Sequence, residues 1–149
     1  MLLGAPAANF ISAAGSSAPP PEWRGVWLVV KDLGAPGISA ITDAQAGELI
    51  GASILIADGT ARFVNDNCDK ARYTIETQTI EDLLLAFRLT PTQLPLRGKR
   101  ARTLEVSCSG APFHDLSLLE TGCAIVVWKG RVFQVVKREP ELKRVTCIN

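Results

Sequence analysis

Apolar residues recur at every second position along most of this chain and at helical spacing in only two short stretches. Arg102 to Cys108 is the cleanest alternation, with Leu104, Val106 and Cys108 on one face and Thr103, Glu105 and Ser107 on the other; the pattern predicts a strand with one wet side. Ala71 to Thr77 alternates in the same way around Tyr73 and Ile75. Trp23 to Lys31 mixes aromatic and β-branched residues as a first strand, ended by Gly34, Pro36 and Gly37. Ala52–Ala57 and Thr60–Asn65 form a hairpin across Asp58-Gly59, a dipeptide that supplies the positive backbone angles of a tight turn. Phe113–Leu119 predicts a further strand, Gly122–Trp128 and Arg131–Arg138 a hairpin across Lys129-Gly130, and Leu142–Ile148 a closing strand.

The two helical stretches carry their own start and stop signals. Thr42 with Gln45 three residues later forms a capping box, Ile41 can staple against Ala46, and Gly51 ends the turn. Thr79 caps a second helix in which Ile80, Leu83, Leu84 and Phe87 share one face, and Pro91 forbids continuation. Residues 91–98 then form a loop. The sum is about seven or eight short strands with two helical insertions, a count that suits an antiparallel barrel better than parallel βαβ units. Trp27, Phe63, Tyr73, Leu104, Phe133 and Val135 are the expected inward side chains. They are large, which favours a filled interior.

Residues 1–22 break this pattern. They are mainly Ala, Ser, Pro and Gly, ending in Pro19-Pro20-Pro21, a composition that cannot bury enough surface to offset its ordering entropy. The segment reads as a flexible leader, and Ala5-Pro6-Ala7 has the small-x-small pattern of a signal-peptide remnant. The folded domain is expected over residues 23–149. With 47% hydrophobic and 21% charged residues and a net charge of +1 over its 149 residues, the chain can build a core. Its balanced charge gives no field toward nucleic acid, and no apolar run reaches the length of a membrane-spanning helix.

Four cysteines change the picture most. Cys68, Cys108, Cys123 and Cys147 never come as Cys-x-x-Cys, and the sole histidine, His114, lies six residues past Cys108, so neither a metal site nor a cofactor is expected. An even number without metal spacing points to disulfides in a periplasmic or secreted protein. Cys68 and Cys108 can meet if the Tyr73 and Leu104 strands are neighbours, and Cys123 and Cys147 can join the last hairpin to the tail. Pairing of Cys108 with Cys123 stays open, because four cysteines allow three connectivities.

Gly25-Val26-Trp27 at the first strand resembles the Gly-x-Trp signature of lipocalins and wider calycin barrels. The wider layout is similar to small exported bacterial lipocalin-like proteins of uncharacterised function: a Trp-rich first strand, a short Thr-Asp-Ala-Gln helix, Cys68 before the Tyr73 strand, a Val-Ser-Cys strand end and a final Trp-Lys-Gly hairpin. The resemblance implies a barrel whose Trp27 plugs one end with Arg138 packed across it, a cation over an indole face worth about 0.5 to 2 kcal/mol. The lipocalin Thr-Asp-Tyr motif is missing, and the helix after the first strand departs from the family's long-loop hairpin.

The remaining chemistry is sparse. His114 lies near Ser107, Ser109, Ser117 and Asp115 without a Gly-x-Ser-x-Gly frame, and is expected to be a surface loop residue. Glu81-Asp82 suits the first turn of a helix, and Glu139 and Glu141 flank a proline. Asn65–Asp69 lacks the glycine and terminal glutamate of a calcium loop and reads as a polar turn. Arg97, Lys99, Arg100 and Arg102 form the densest basic run, a candidate patch for an anionic partner. No enzyme is expected. The leading function is a rigid interaction module of the cell envelope, of inhibitor, immunity or accessory type, whose partner is another protein. The alternative is a carrier of a small apolar ligand in a barrel cavity.

Overall fold

The structure is a computed structural model that describes residues 15–34, 40–139 and 145–148. Its nine strands are β1 (Gly25–Gly34), β2 (Ser53–Ala57), β3 (Thr60–Phe63), β4 (Asp66–Cys68), β5 (Ala71–Thr79), β6 (Arg100–Cys108), β7 (Ala111–Leu119), β8 (Ala124–Trp128) and β9 (Arg131–Lys137). Two short helices, α1 (Asp43–Glu48) and α2 (Ile80–Ala86), interrupt them. All pairings are antiparallel, in the order β4-β3-β2-β1-β9-β8-β7-β6-β5.

That order corrects the expected closed barrel of seven or eight strands. The chain is mainly β, but the sheet is a curled half-barrel in which β4 and β5 lie at opposite edges without a shared ladder. Only Asp69 and Lys70 separate those two strands in sequence, so the sheet must curl until its edges approach. Register shifts between β1 and β9, at Val29/Lys31 and Asp32/Gly34, mark the irregularities that sharpen the curl. The strand missed from the sequence is β4, three residues inside what reads as a polar turn.

Local signals place the turns and caps. Ser109-Gly110 and Lys129-Gly130 both have positive φ at their two central residues (52° and 84°, 49° and 82°), the geometry whose twist matches flanking antiparallel strands. Thr42 and Gln45 form the capping box of α1, and Thr79 caps α2 by accepting from the Asp82 N–H. Pro36 and Gly37, read as the end of the first strand, lie outside the described residues.

Alternation sends two sets of side chains to opposite faces of one sheet. The concave cluster contains all six expected inward residues, Trp27, Phe63, Tyr73, Leu104, Phe133 and Val135, with Ala46 of α1 buried among them. The convex cluster lies beneath α2 and the 90s loop, where Leu83, Leu84 and Leu96 meet Ile125, Val132 and Cys147. β8 and β9 therefore bury both faces, which is why they read as nearly continuous apolar runs. Arg131, at the start of β9, fastens α1 to the sheet through Asp43 (2.6 Å) and Asp32 (3.3 Å).

Of the predicted closing strand, residues 142–144 lie outside the described residues. Residues 145–148 form no ladder: Ile148 makes one isolated bridge to Leu96, and Gln134 donates to the Val145 carbonyl (2.8 Å).

Candidate functional site

The seam between the sheet edges is built around Tyr73 on β5. Its N–H donates to the Ser16 carbonyl (2.8 Å) and its carbonyl accepts from the Ser16 N–H (3.0 Å). The Tyr73 hydroxyl lies 2.8 Å from the Ala57 carbonyl and 2.9 Å from that of Thr60, so it spans the β2–β3 turn. Burial pushes this phenol above its ordinary range, which keeps it a neutral donor. Beside it, the Gly59 N–H donates to Ser17 (2.7 Å) and the Ala71 N–H to Gly59 (3.0 Å). A Cβ at Gly15, where φ is +71°, would meet the Tyr73 carbonyl oxygen at 2.7 Å, so only glycine fits.

Residues 1–14 of the expected leader lie outside the described residues. Residues 15–22, its expected end, are docked on this seam: Pro19 is buried, Glu22 pairs with Arg102, and Trp23 is fully buried in the concave cluster. A disulfide between Cys68 on β4 and Cys108 on β6 ties the two edge regions together, and a second joins Cys123 to Cys147 across the convex cluster. No described cysteine is free.

One region of the concave face is filled from both sides. His114 is a strand residue of β7, not a loop residue, and its side chain is only 22% exposed. It stacks on Phe63 (centroids 5.0 Å apart) and on Trp128 (4.6 Å), with Phe113 edge-on at 4.8 Å. Its Nε2 lies 2.9 Å from Asp66 Oδ2. Phe63 and His114 belong to β3 and β7, far apart in strand order, so the stack bridges the lumen. Asp115 and Ser117 are one and three residues away on the same strand and face the other way. Ser117 is buried in a hydroxyl pair with Thr103 (2.9 Å). The serine–histidine–aspartate grouping considered from the sequence is therefore not assembled.

The convex face of β5, β6 and β7 carries three acids, Glu76, Glu105 and Asp115, beside one base, Arg72. Glu105 lies opposite both Thr74 and Asp115 in the register, and Glu76 approaches it along β5. Glu76 has its carboxyl raised by a hydrogen bond to Glu105 and by repulsion from it. Asp115 is raised first by desolvation and then by Glu105, against the lowering effect of the Val106 N–H. These three acids were not singled out from the sequence, although their strand parity alone puts them on one face.

The basic run does not converge on one point. Arg102 pairs with Glu22, the Lys99 N–H donates to the Glu120 carboxylate, and the Arg97 N–H donates to the Cys147 carbonyl (2.9 Å). Arg97, Lys99 and Arg100 have exposed side chains. The register does not set Arg138 opposite Trp27, the packing expected from the resemblance. Lys137, not Arg138, stands opposite Trp27 in the register, while Arg138 donates its N–H to Val26 (2.7 Å). The Trp27 indole meets Trp23 instead, with centroids 6.4 Å apart and its N–H donated to the Trp23 carbonyl (2.9 Å).

Two clefts open near this tryptophan. The first, about 410 Å³, is lined by Trp27, Leu118, Ala124, Val135 and Lys137 among others. The second, about 380 Å³, shares Leu118 and Gly122 with it and reaches Thr77 and Arg102. Among the described residues no group of three or more histidines, cysteines or acids is arranged to hold a metal, and no helix is long and apolar enough to cross a membrane. Comparisons with protein families, with curated proteins and with solved structures find no match to this chain.

Proposed function

We propose that this chain is a rigid, non-catalytic protein-interaction module of an oxidising compartment, the periplasm or the cell exterior. The observation that carries the reading is the lumen-bridging stack of Phe63, His114 and Trp128, which fills that part of the concave face by packing. Recognition in this reading uses the outer surface of a scaffold held by two disulfides. A scaffold that is already ordered loses little conformational freedom on binding, and disulfides of this kind persist where thiols are oxidised. The test is capture: the oxidised full chain, immobilised in extract of its own extracytoplasmic compartment, should retain one protein in stoichiometric amount and release it when the disulfides are reduced. Retention of nothing, or equal retention by the reduced chain, would contradict the proposal.

A second reading, the carrier, is favoured by the 410 Å³ cleft beside Trp27 and by the Gly25-x-Trp27 resemblance to calycins. A cleft of that size is within the range that holds small ligands. It predicts quenching or shift of tryptophan fluorescence by a long-chain fatty acid, abolished by Ala124→Trp, which fills the cleft. An unchanged spectrum would remove it.

A further inference from the structure

β5 turns its backbone hydrogen-bonding groups outward on alternate residues. Tyr73 exchanges its outward pair with Ser16. By the same alternation Ile75 and Thr77 direct their N–H and C=O groups away from β6, and neither has a backbone partner there among the described residues. Two donors and two acceptors in a row form a template for another extended chain. Along β5 the template lies between Tyr73, bridged to Ser16, and the start of α2 at Ile80, a stretch of about five or six residues at ~3.3 Å each that has no paired strand on this side among the described residues.

The two flanks of the template differ in chemistry. Ile75 and Thr77 have the concave parity, and Ile75 is 39% exposed, one of four large hydrophobics so exposed among the described residues. Glu76 has the convex parity and lies diagonal to Glu105 on β6, which itself stands opposite Asp115 on β7; Arg72 shares the parity of Glu76. The ion pairs formed among the described residues, which engage Glu22, Asp32, Asp43, Asp58 and Asp66, leave these three carboxylates out. An added strand would place alternate side chains beside Glu76, with Glu105 one strand further in, about 10 Å from the added backbone at ~4.8 Å per strand. A second copy of this chain, pairing through its own β5, would bring Glu76 toward a second acidic face and be repelled.

We infer that the Ile75–Thr77 edge of β5 is a docking rail for an extended segment of a partner protein, apolar at the positions that meet Ile75 and carrying Lys or Arg at the positions that meet Glu76, which Glu105 backs from β6. This rests on the interaction-module reading and names the surface it uses. Backbone pairing supplies the attachment, and the acids select the sign of the partner's charge.

The test titrates the peptide acetyl-Lys-Val-Lys-Val-Lys-Val-amide into the oxidised, isotope-labelled full chain at low salt. Amide signals of Ile75 and Thr77 should shift and their hydrogen exchange slow at least tenfold on saturation, while Tyr73, already bonded, should not change. Glu76→Lys should weaken binding at least tenfold, and methylating every second backbone nitrogen of the peptide should abolish it in one of the two registers. The peptide variants leave the protein untouched, so a loss there cannot come from misfolding. Signals that move elsewhere, no binding, equal binding by both methylated peptides, or slowed exchange at Ile75 and Thr77 through self-association without peptide would each overturn the rail. A partner captured from extract and retained equally by Glu76→Lys would overturn the rail while leaving the interaction-module reading in place.

Discussion

The two halves of β5 meet opposite fates. Around Ala71 and Tyr73 the strand is sewn to the far edge of the sheet by the Ser16 bridge, the Tyr73 hydroxyl, the Gly59 carbonyl and the nearby Cys68–Cys108 disulfide. Two residues on, at Ile75 and Thr77, the same strand keeps its outward backbone groups without partners among the described residues. The difference teaches how this sheet avoids full closure. Its edges are joined at one point, because the disulfide and the docked residues 15–23 fix the curl, and the remainder of the edge has no backbone partner among the described residues.

Breaking the closed half should have the largest effect. Replacing Cys68 and Cys108 together by alanine opens a crosslink spanning 40 residues, and the loss of unfolded-state constraint predicts destabilisation by about 4 kcal/mol, measured by denaturant unfolding of the oxidised protein. Tyr73→Phe removes one hydroxyl from two turn carbonyls and should cost about 1 to 2 kcal/mol in the same assay.

The acidic face should behave in the opposite sense. Glu76 and Asp115 have carboxyls raised above their ordinary values, so the folded state binds protons more readily than the unfolded one. Their ionisation therefore penalises folding above the raised values, and the penalty disappears as pH falls below the ordinary carboxylate range near 4. Glu105→Gln removes the charge directly opposite Asp115 and should stabilise by about 0.2 to 1 kcal/mol at pH 7, with the gain vanishing below about pH 4. Equal gain at both pH values would contradict like-charge repulsion as its source. The open half should tolerate change best: Ile75→Thr, at a 39% exposed position, should shift unfolding by less than about 0.5 kcal/mol.

What could be read from the sequence was local. Alternation located the strands on either side of each turn, and Asp58-Gly59, Lys129-Gly130, Thr42 with Gln45, and Thr79 marked turns and helix starts through side chains within four residues of each other. The seam could not be read this way. Tyr73 finds Ala57 and Ser16 only after nine strands have curled, and His114 meets Asp66 across 48 residues. β4 was hidden because a three-residue strand of Asp, Asn and Cys has no hydrophobic period to detect. The convex core left a signal that could have been used: Ala124–Trp128 is apolar at every position, which a strand wet on one side would not be. Residues 15–22 illustrate the limit of composition, since this Pro-rich stretch is held by backbone bonds to Tyr73 and Gly59 together with the buried Pro19 and the Glu22–Arg102 ion pair.

Native-state hydrogen exchange along β5 of the oxidised full chain, with no ligand present, tests the contrast most directly. A sewn seam beside an open rail predicts a Tyr73 amide that exchanges roughly a hundredfold more slowly than those of Ile75 and Thr77, because one is bonded and the others are not. Uniform protection across all three would mean the edge is already paired, and a Tyr73 amide as fast as its neighbours would mean the seam is not closed.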